Sequence, residues 1–309
     1  MKIATATAVI LAAWTTLAEA KTYKEMFGAE PPAQPSATSV VGTMDFKQGK
    51  IALPGAGATL DVPQGYYFLD TRDTTKVLVD LWKNPPGSGS DTLGMLLPAK
   101  HPPDSPALWG AVISYNPDGF VSDEDAASTD FNEVLKQLQE STEESNKQRK
   151  IEGYEPIKLV GWASPPHYDK TTHALHWARD LLFGTDPSAP HTLNYQLRML
   201  GREGVLELNF VAGMSDLPEI KESIPAVSGL AHFDPGKTYG DYKDGDKVAA
   251  YGLAGLIAAG AGAKIAAKVG FLALALAFLK KGAVFILIAA GAIFRPILNF
   301  FRRKPDGTA

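Results

Sequence analysis

The last sixty residues constrain this chain most. From residue 247 to residue 304, KVAAYGLAGLIAAGAGAKIAAKVGFLALALAFLKKGAVFILIAAGAIFRPILNFFRRK, an acidic and mixed sequence gives way to one that is apolar and basic. Residues 248–263 form an uncharged run of 16 residues, about 24 Å long as a helix at about 1.5 Å per residue. If the stem of Lys264 lies along apolar surface while its ammonium reaches water, the stretch extends to Ala267 and covers a hydrocarbon core of about 30 Å. Residues 269–279 and 282–294 are each too short to cross alone. Joining them would place Lys280 and Lys281 in the bilayer, at about 2.5 to 3.5 kcal/mol each. The expectation is therefore one crossing followed by an interfacial or re-entrant hairpin ending at Arg302, Arg303 and Lys304, with three thin, tilted crossings as the rival. Gly255, Ala259 and Ala263 recur every four residues, a small-residue stripe that lets helices approach and associate. Alanine and glycine are also common in membrane helices for no such reason.

The amino terminus matches this address. Lys2, an apolar run from Ile3 to Leu17, and Ala18-Glu19-Ala20 have the order of a secretory signal with its cleavage site, so the mature chain is expected to begin at Lys21. Charge is segregated along the sequence. Residues 21–247 carry 32 acidic and 21 basic side chains, whereas residues 248–309 carry one acidic and eight basic. A domain with net charge −11 repels phosphate backbones, which excludes nucleic acid as a partner. The basic tail fits the cytoplasmic side of a membrane segment and the surface of anionic lipid. The expected organisation is a signal peptide (1–20), a linker (21–40), an extracytoplasmic domain (41–247), a transmembrane or interfacial anchor (248–304) and a tail (305–309). The corresponding location is the bacterial inner membrane with a periplasmic main domain.

With no cysteine in the chain, disulfides, thiolate metal sites and a cysteine nucleophile are all excluded. The domain must hold itself together by its core, and 227 residues suffice for one. GAEPPAQPSATSV, residues 28–40, is too poor in large apolar side chains to fold. ATLDVPQGYYFLD predicts a strand broken at Pro63 to Gly65, and a short helix is expected over residues 74–82. Strands are expected at TLGMLLP and ALWGAVISY. Asp130 with Glu133 forms a capping box, after which Phe131, Val134, Leu135 and Leu138 recur at helical spacing until Gly153. IKLVGWA, HALHWARDLLF, HTLNYQLRML and VLELNFVA, separated by SPPHYDKTT, GTDPSAP and GREG, predict an antiparallel meander. A helix from Ser215 with Pro218 in its first turn follows. The expected class is α+β: an antiparallel meander sheet with flanking helices.

Chemistry is sparsely indicated. Gly87 and Gly89 lack the GK[ST] of a phosphate loop, and no G-x-S-x-G, H-E-x-x-H or S-x-x-K pattern occurs. Four histidines, His167, His173, His176 and His191, fall within 25 residues, with Asp169 and Asp180 beside them. Histidine and carboxylate together are what a transition-metal site needs. His173 and His176 differ by an odd number along an expected strand and so point to opposite faces. His167, Asp169 and His191 remain as a candidate two-histidine, one-carboxylate set, against the alternative that they make turn and cross-strand hydrogen bonds. Trp82, Trp109, Trp162 and Trp177, with Tyr66 and Tyr67, are candidates to line a groove for a peptide or glycan, or to pack in the core.

Taken together, GYYFLD, GWASPPHYD, HTLNYQLRMLGREGVLELNFVA and DKVAAYGLAGLIA resemble a family of bacterial membrane-anchored proteins built on a domain of unknown function, over residues 41–303. That resemblance implies an envelope protein and brings no activity, cofactor or catalytic residue. The alternation of strands with flanking helices is also similar to PsbP-like sandwiches, which implies a binding module. The functional expectation is a membrane-anchored envelope binding or scaffolding protein without catalysis or cofactor. Its partners would be the lipid bilayer and envelope proteins, or its own copies through the Gly255, Ala259, Ala263 stripe. The alternative is a metal-dependent envelope enzyme using His167, Asp169 and His191.

Overall fold

A computed structural model of the chain describes residues 18–32, 38–105 and 108–259. The strands are β1 (Glu19–Lys21), β2 (Phe46–Leu53), β3 (Ala58–Val62), β4 (Tyr66–Asp70), β5 (Thr92–Pro98), β6 (Gly110–Asn116), β7 (Ile157–Asp169), β8 (Ala174–Phe183), β9 (Thr192–Leu200), β10 (Val205–Gly213) and β11 (Ala231–Phe233). The helices are α1 (Tyr23–Phe27), α2 (Thr38–Val41), α3 (Thr71–Thr75), α4 (Phe131–Ile151), α5 (Leu217–Ser228) and α6 (Leu253–Ala259). The strands form one sheet in the order β11-β3-β2-β4-β5-β6-β10-β9-β8-β7, with β1 attached to β2. Every ladder is antiparallel. The chain divides into two compact units, residues 1–121 with 142–249, and residues 122–141 with 250–309.

Within the first unit, alternation of side chains across each strand decides which residues share a face. On β10, Leu206, Leu208, Phe210 and Ala212 join Ile113 of β6, Leu197 of β9 and Ile220, Ile224 and Val227 of α5 in one core. Such side chains each contribute about 1.5 to 3 kcal/mol when fully buried. The opposite parity on β8, β9 and β10 is polar: Arg179, Asn194, Gln196, Arg198, Glu207 and Asn209. A second core, around Phe46, Tyr67, Leu69, Val77 and Met95, lies on the other face of β2, β4 and β5. β2 serves both cores, and Gly49 within it sits at φ +88°, a left-handed conformation open to glycine. Phe46 lies an odd number of residues from Ile51 and Leu53, so plain alternation turns it to one core and them to the other.

Several elements depart from expectation. SPPHYD is not a turn: it is the second half of β7, the last strand of the sheet. Register shifts at Gly161, Ser164 and His167 and the edge position accommodate Pro165 and Pro166, which have no N–H to give a neighbour. The helix expected over residues 74–82 begins earlier, because the Asp70 carboxylate accepts from Asp73 N, and it widens to π geometry over Lys76–Leu81. The expected linker, residues 21–40, is partly built into the fold. Thr22 and Glu25 cap α1 reciprocally, and Tyr23 and Phe27 pack edge-on against Phe46 and Tyr67. Glu19–Lys21, at the expected cleavage site, pairs with Phe46, Lys47 and Gln48. The rest of the expected signal, residues 1–17, lies outside the described residues.

Val248 and Ala249, the start of the long apolar run, are extended: Phe120 N donates to Lys247 O, and Ala249 N donates to Phe120 O. In the second unit α6 starts at Leu253, where the Asp125 carboxylate accepts from the amides of Leu253 and Ala254 at 2.9 and 3.2 Å. Among the described residues no helix is long and apolar enough to cross a membrane. The part of the expected anchor beyond Ala259, including Ala263 and all its lysines, lies outside them.

Candidate functional site

The structure separates the candidate metal ligands. His167 stands opposite His176 across β7 and β8, whereas His191 hydrogen-bonds through Nδ1 to Asp180 Oδ1 at 2.7 Å. Asp180 is four residue steps along β8 from His176, roughly 13 Å at about 3.3 Å per residue. Asp169 is turned to its own loop, accepting from Thr171 N and Thr172 Oγ1 at 2.8 and 2.9 Å. Those bonds hold its carboxyl below the usual range. His173 lies outside the strand at φ +50°, stacks on Tyr239 and meets the Tyr168 hydroxyl through Nδ1. No group of three or more histidine, cysteine, aspartate or glutamate side chains able to hold a metal ion occurs among the described residues.

The aromatic candidates divide differently. Tyr67 and Trp177 are core side chains. Tyr66 and Trp109 instead form one wall of an open cleft of about 590 Å³, within the usual size range of small-ligand sites. Gly65, Pro98, Ala99 and Lys100 line it from the β4 and β5 side, and Glu219, Glu222 and Ser223 from α5. Pro218 in the first turn fixes the start of α5, so Glu219, Glu222 and Ser223 share one helical face.

Hydrogen bonding ties this cleft together. Trp109 Nε1 and Lys100 Nζ both donate to Glu219 Oε1 at 2.8 Å. Those two donors hold the Glu219 carboxyl below its ordinary range. Burial, then the Glu219 charge, pushes the Tyr66 hydroxyl up. The Trp109 ring lies 5.8 Å from Phe210 and 6.3 Å from Tyr66 between centroids, so the indole joins core to cleft. Sequence reasoning left Tyr66 and Trp109 between groove and core and missed Lys100, Glu219, Glu222 and Ser223. Glu219 follows Trp109 by 110 positions and Lys100 by 119, and no local pattern links residues so far apart.

An antiparallel sheet with flanking helices and a cleft over one end of α5 defines a single-sheet α+β domain. The chain belongs to the family described as protein of unknown function (DUF2167), whose model matches residues 45–291. No curated protein matches the chain in sequence. Among solved structures it is similar to cyanobacterial PsbP (CyanoP) from Synechocystis sp. PCC 6803, at 9% identity and TM-score 0.33, covering 60% of this chain and 91% of that one. It is also similar to the Saccharomyces cerevisiae Ran-binding protein Mog1p, at 9% identity and TM-score 0.31, covering 62% and 96%.

Proposed function

We propose that the protein is an envelope binding module: an exported α+β domain held at the bacterial membrane by its apolar, basic C-terminal segment, with the Tyr66, Trp109 and Glu219 cleft as the surface that engages another envelope component. The cleft carries this reading. Its ligand is a peptide segment bearing a basic side chain, because Glu219 and Glu222 outnumber Lys100 there and a Lys or Arg over the Tyr66 ring gains cation–π attraction within about 6 Å. The acidity of residues 21–247 adds long-range attraction for a basic partner.

The tether rests on composition. An apolar run flanked by Lys264 and Lys268 and closed by Arg302, Arg303 and Lys304 has the asymmetry of a segment whose basic end stays in the cytoplasm. Because the chain has no cysteine, Gly245→Cys and Pro305→Cys are clean single-site probes. A membrane-impermeant maleimide added to intact spheroplasts should modify residue 245 alone. Equal labelling of both sites refutes the topology. For the binding role, the full chain purified in mild detergent should bring down a protein partner that Tyr66→Ala and Glu222→Lys release. A solitary monomer counts against it, and a homo-oligomer dispersed by Gly255→Leu instead assigns association to the anchor stripe.

A further inference from the structure

The polar face of β8, β9 and β10 contains an arginine whose charge the described protein does not balance. Register places Arg179 opposite Asn194, Trp177 opposite Gln196, and Leu175 opposite Arg198 on the β8–β9 ladder. The β9–β10 ladder sets Gln196 against Asn209 and Arg198 against Glu207. One face thus carries two guanidiniums, three amides, an indole and one carboxylate.

Glu207 pairs with Arg198 at 3.4 Å, and Arg198 also lies over the Trp177 ring, 5.3 Å from its centroid. Arg179 has a neutral partner instead. Its Nε and Nη2 both donate to Asn194 Oδ1, at 3.1 and 2.6 Å, and it forms no ion pair among the described residues. Burial first, then the neighbouring Arg198 charge, pushes the Arg179 guanidinium down to about 10. Beside it two fully buried polar atoms, Trp177 Nε1 and Gln196 Oε1, have no hydrogen-bond partner. Buried polar groups in folded proteins are nearly always satisfied, and a cation drawn out of water without a counter-ion carries a desolvation cost. Unused N–H donors on Arg179 and Trp177, with the Arg198 charge adjacent, are the complement of an oxyanion.

We infer that the Arg179, Trp177 and Arg198 face is a binding site for a phosphate-type oxyanion, held by the Arg179 N–H groups that Asn194 leaves free, with the Trp177 indole N–H as a further donor. Arg179 is half-buried where Trp177, Gln196 and Arg198 around it are buried, so an incoming oxyanion meets the face at Arg179. The same chemistry serves a free phosphate and a lipid phosphate headgroup. This site is separate from the Tyr66 cleft and stands whether or not that cleft binds a peptide.

The test is thermal unfolding of the full chain in mild detergent, titrated with sodium phosphate at constant ionic strength against sodium chloride, and in parallel with phosphatidylglycerol or phosphatidylcholine vesicles. Phosphate should raise the midpoint saturably, and Arg179→Gln should abolish that rise. Because the variant removes a charge without a protein counter-ion, its midpoint without phosphate should be no lower than wild type. A response to phosphatidylglycerol alone, lost in Arg179→Gln, assigns the site to a headgroup. Trp177→Phe should weaken the response a few-fold. Should Arg179→Gln fail to fold, Arg179→Lys, which keeps the charge but not the fork, should weaken the response at least tenfold. No saturable rise with either probe, or a rise undiminished in the Arg179 variants, overturns the inference.

Discussion

Removing Trp109 tests whether the cleft is wired into the core as described. The side chain is 3% exposed and lies between Phe210 and Tyr66, so Trp109→Ala leaves a large void and should cost about 3 to 5 kcal/mol. At about 2 to 4 °C per kcal/mol for a domain of this size, the midpoint should fall by roughly 10 °C. Trp109→Phe keeps a ring but loses the N–H that Glu219 accepts. Hydrogen bonds to charged groups contribute about 1.5 to 3 kcal/mol, but the Glu219 side chain is 46% exposed and can turn to water. The expected contribution is therefore about 1 kcal/mol. Glu219→Ala should cost a similar amount, because it strands the indole N–H and removes an exposed pair with Lys100 that is itself worth about 0 to 1 kcal/mol. The double variant, Trp109→Phe with Glu219→Ala, should show a coupling of about 1 kcal/mol in urea unfolding midpoints at unchanged slope. Additive effects of the two substitutions would refute the hydrogen bond as a link between α5 and the sheet, and an alanine variant losing under about 1 kcal/mol would refute the packing.

Gly94→Ala should destabilise by more than about 2 kcal/mol, since Gly94 sits at φ +156° and a Cβ there would lie 2.2 Å from Phe68 Cζ and 2.5 Å from Leu69 O; a wild-type urea midpoint would contradict this. His176 is held below the ordinary histidine range by burial, then by the His167 charge, with Asp169 opposing. The unfolded chain therefore takes up the proton first. Stability should decline as pH falls below about 6.5, the unperturbed histidine value, at no more than about 1.4 kcal/mol per pH unit, and level off below the folded value. His176→Gln should flatten melting midpoints between pH 7 and pH 5 relative to wild type.

Local pattern was sufficient wherever one period dominated. Asp130 opens α4 as its cap: Asp130 Oδ1 accepts from the amides of Asn132 and Glu133, while the Glu133 carboxylate accepts from Gln137 Nε2. The alternation in HTLNYQLRML and VLELNFVA gave β9 and β10 nearly to the residue. β2 escaped notice because its apolar side chains change parity along the strand, Phe46 for one core and Ile51 and Leu53 for the other, leaving neither half long enough to stand out. SPPHYD was mistaken for a turn because two prolines forbid an interior strand, and nothing local marks β7 as the sheet's edge.

The chain's order of residues alone determined the α+β class, the antiparallel connections and the split between an acidic domain and a basic, apolar end, because each follows from neighbours within a few positions. Which side chains meet was decided only by tertiary structure. Strand register and the pairing of β6 with β10 put Trp109 against Glu219, kept His167 from His191 and set Arg179 against Asn194. Such meetings join residues remote along the backbone, so their free energy exists only once the sheet has closed around them.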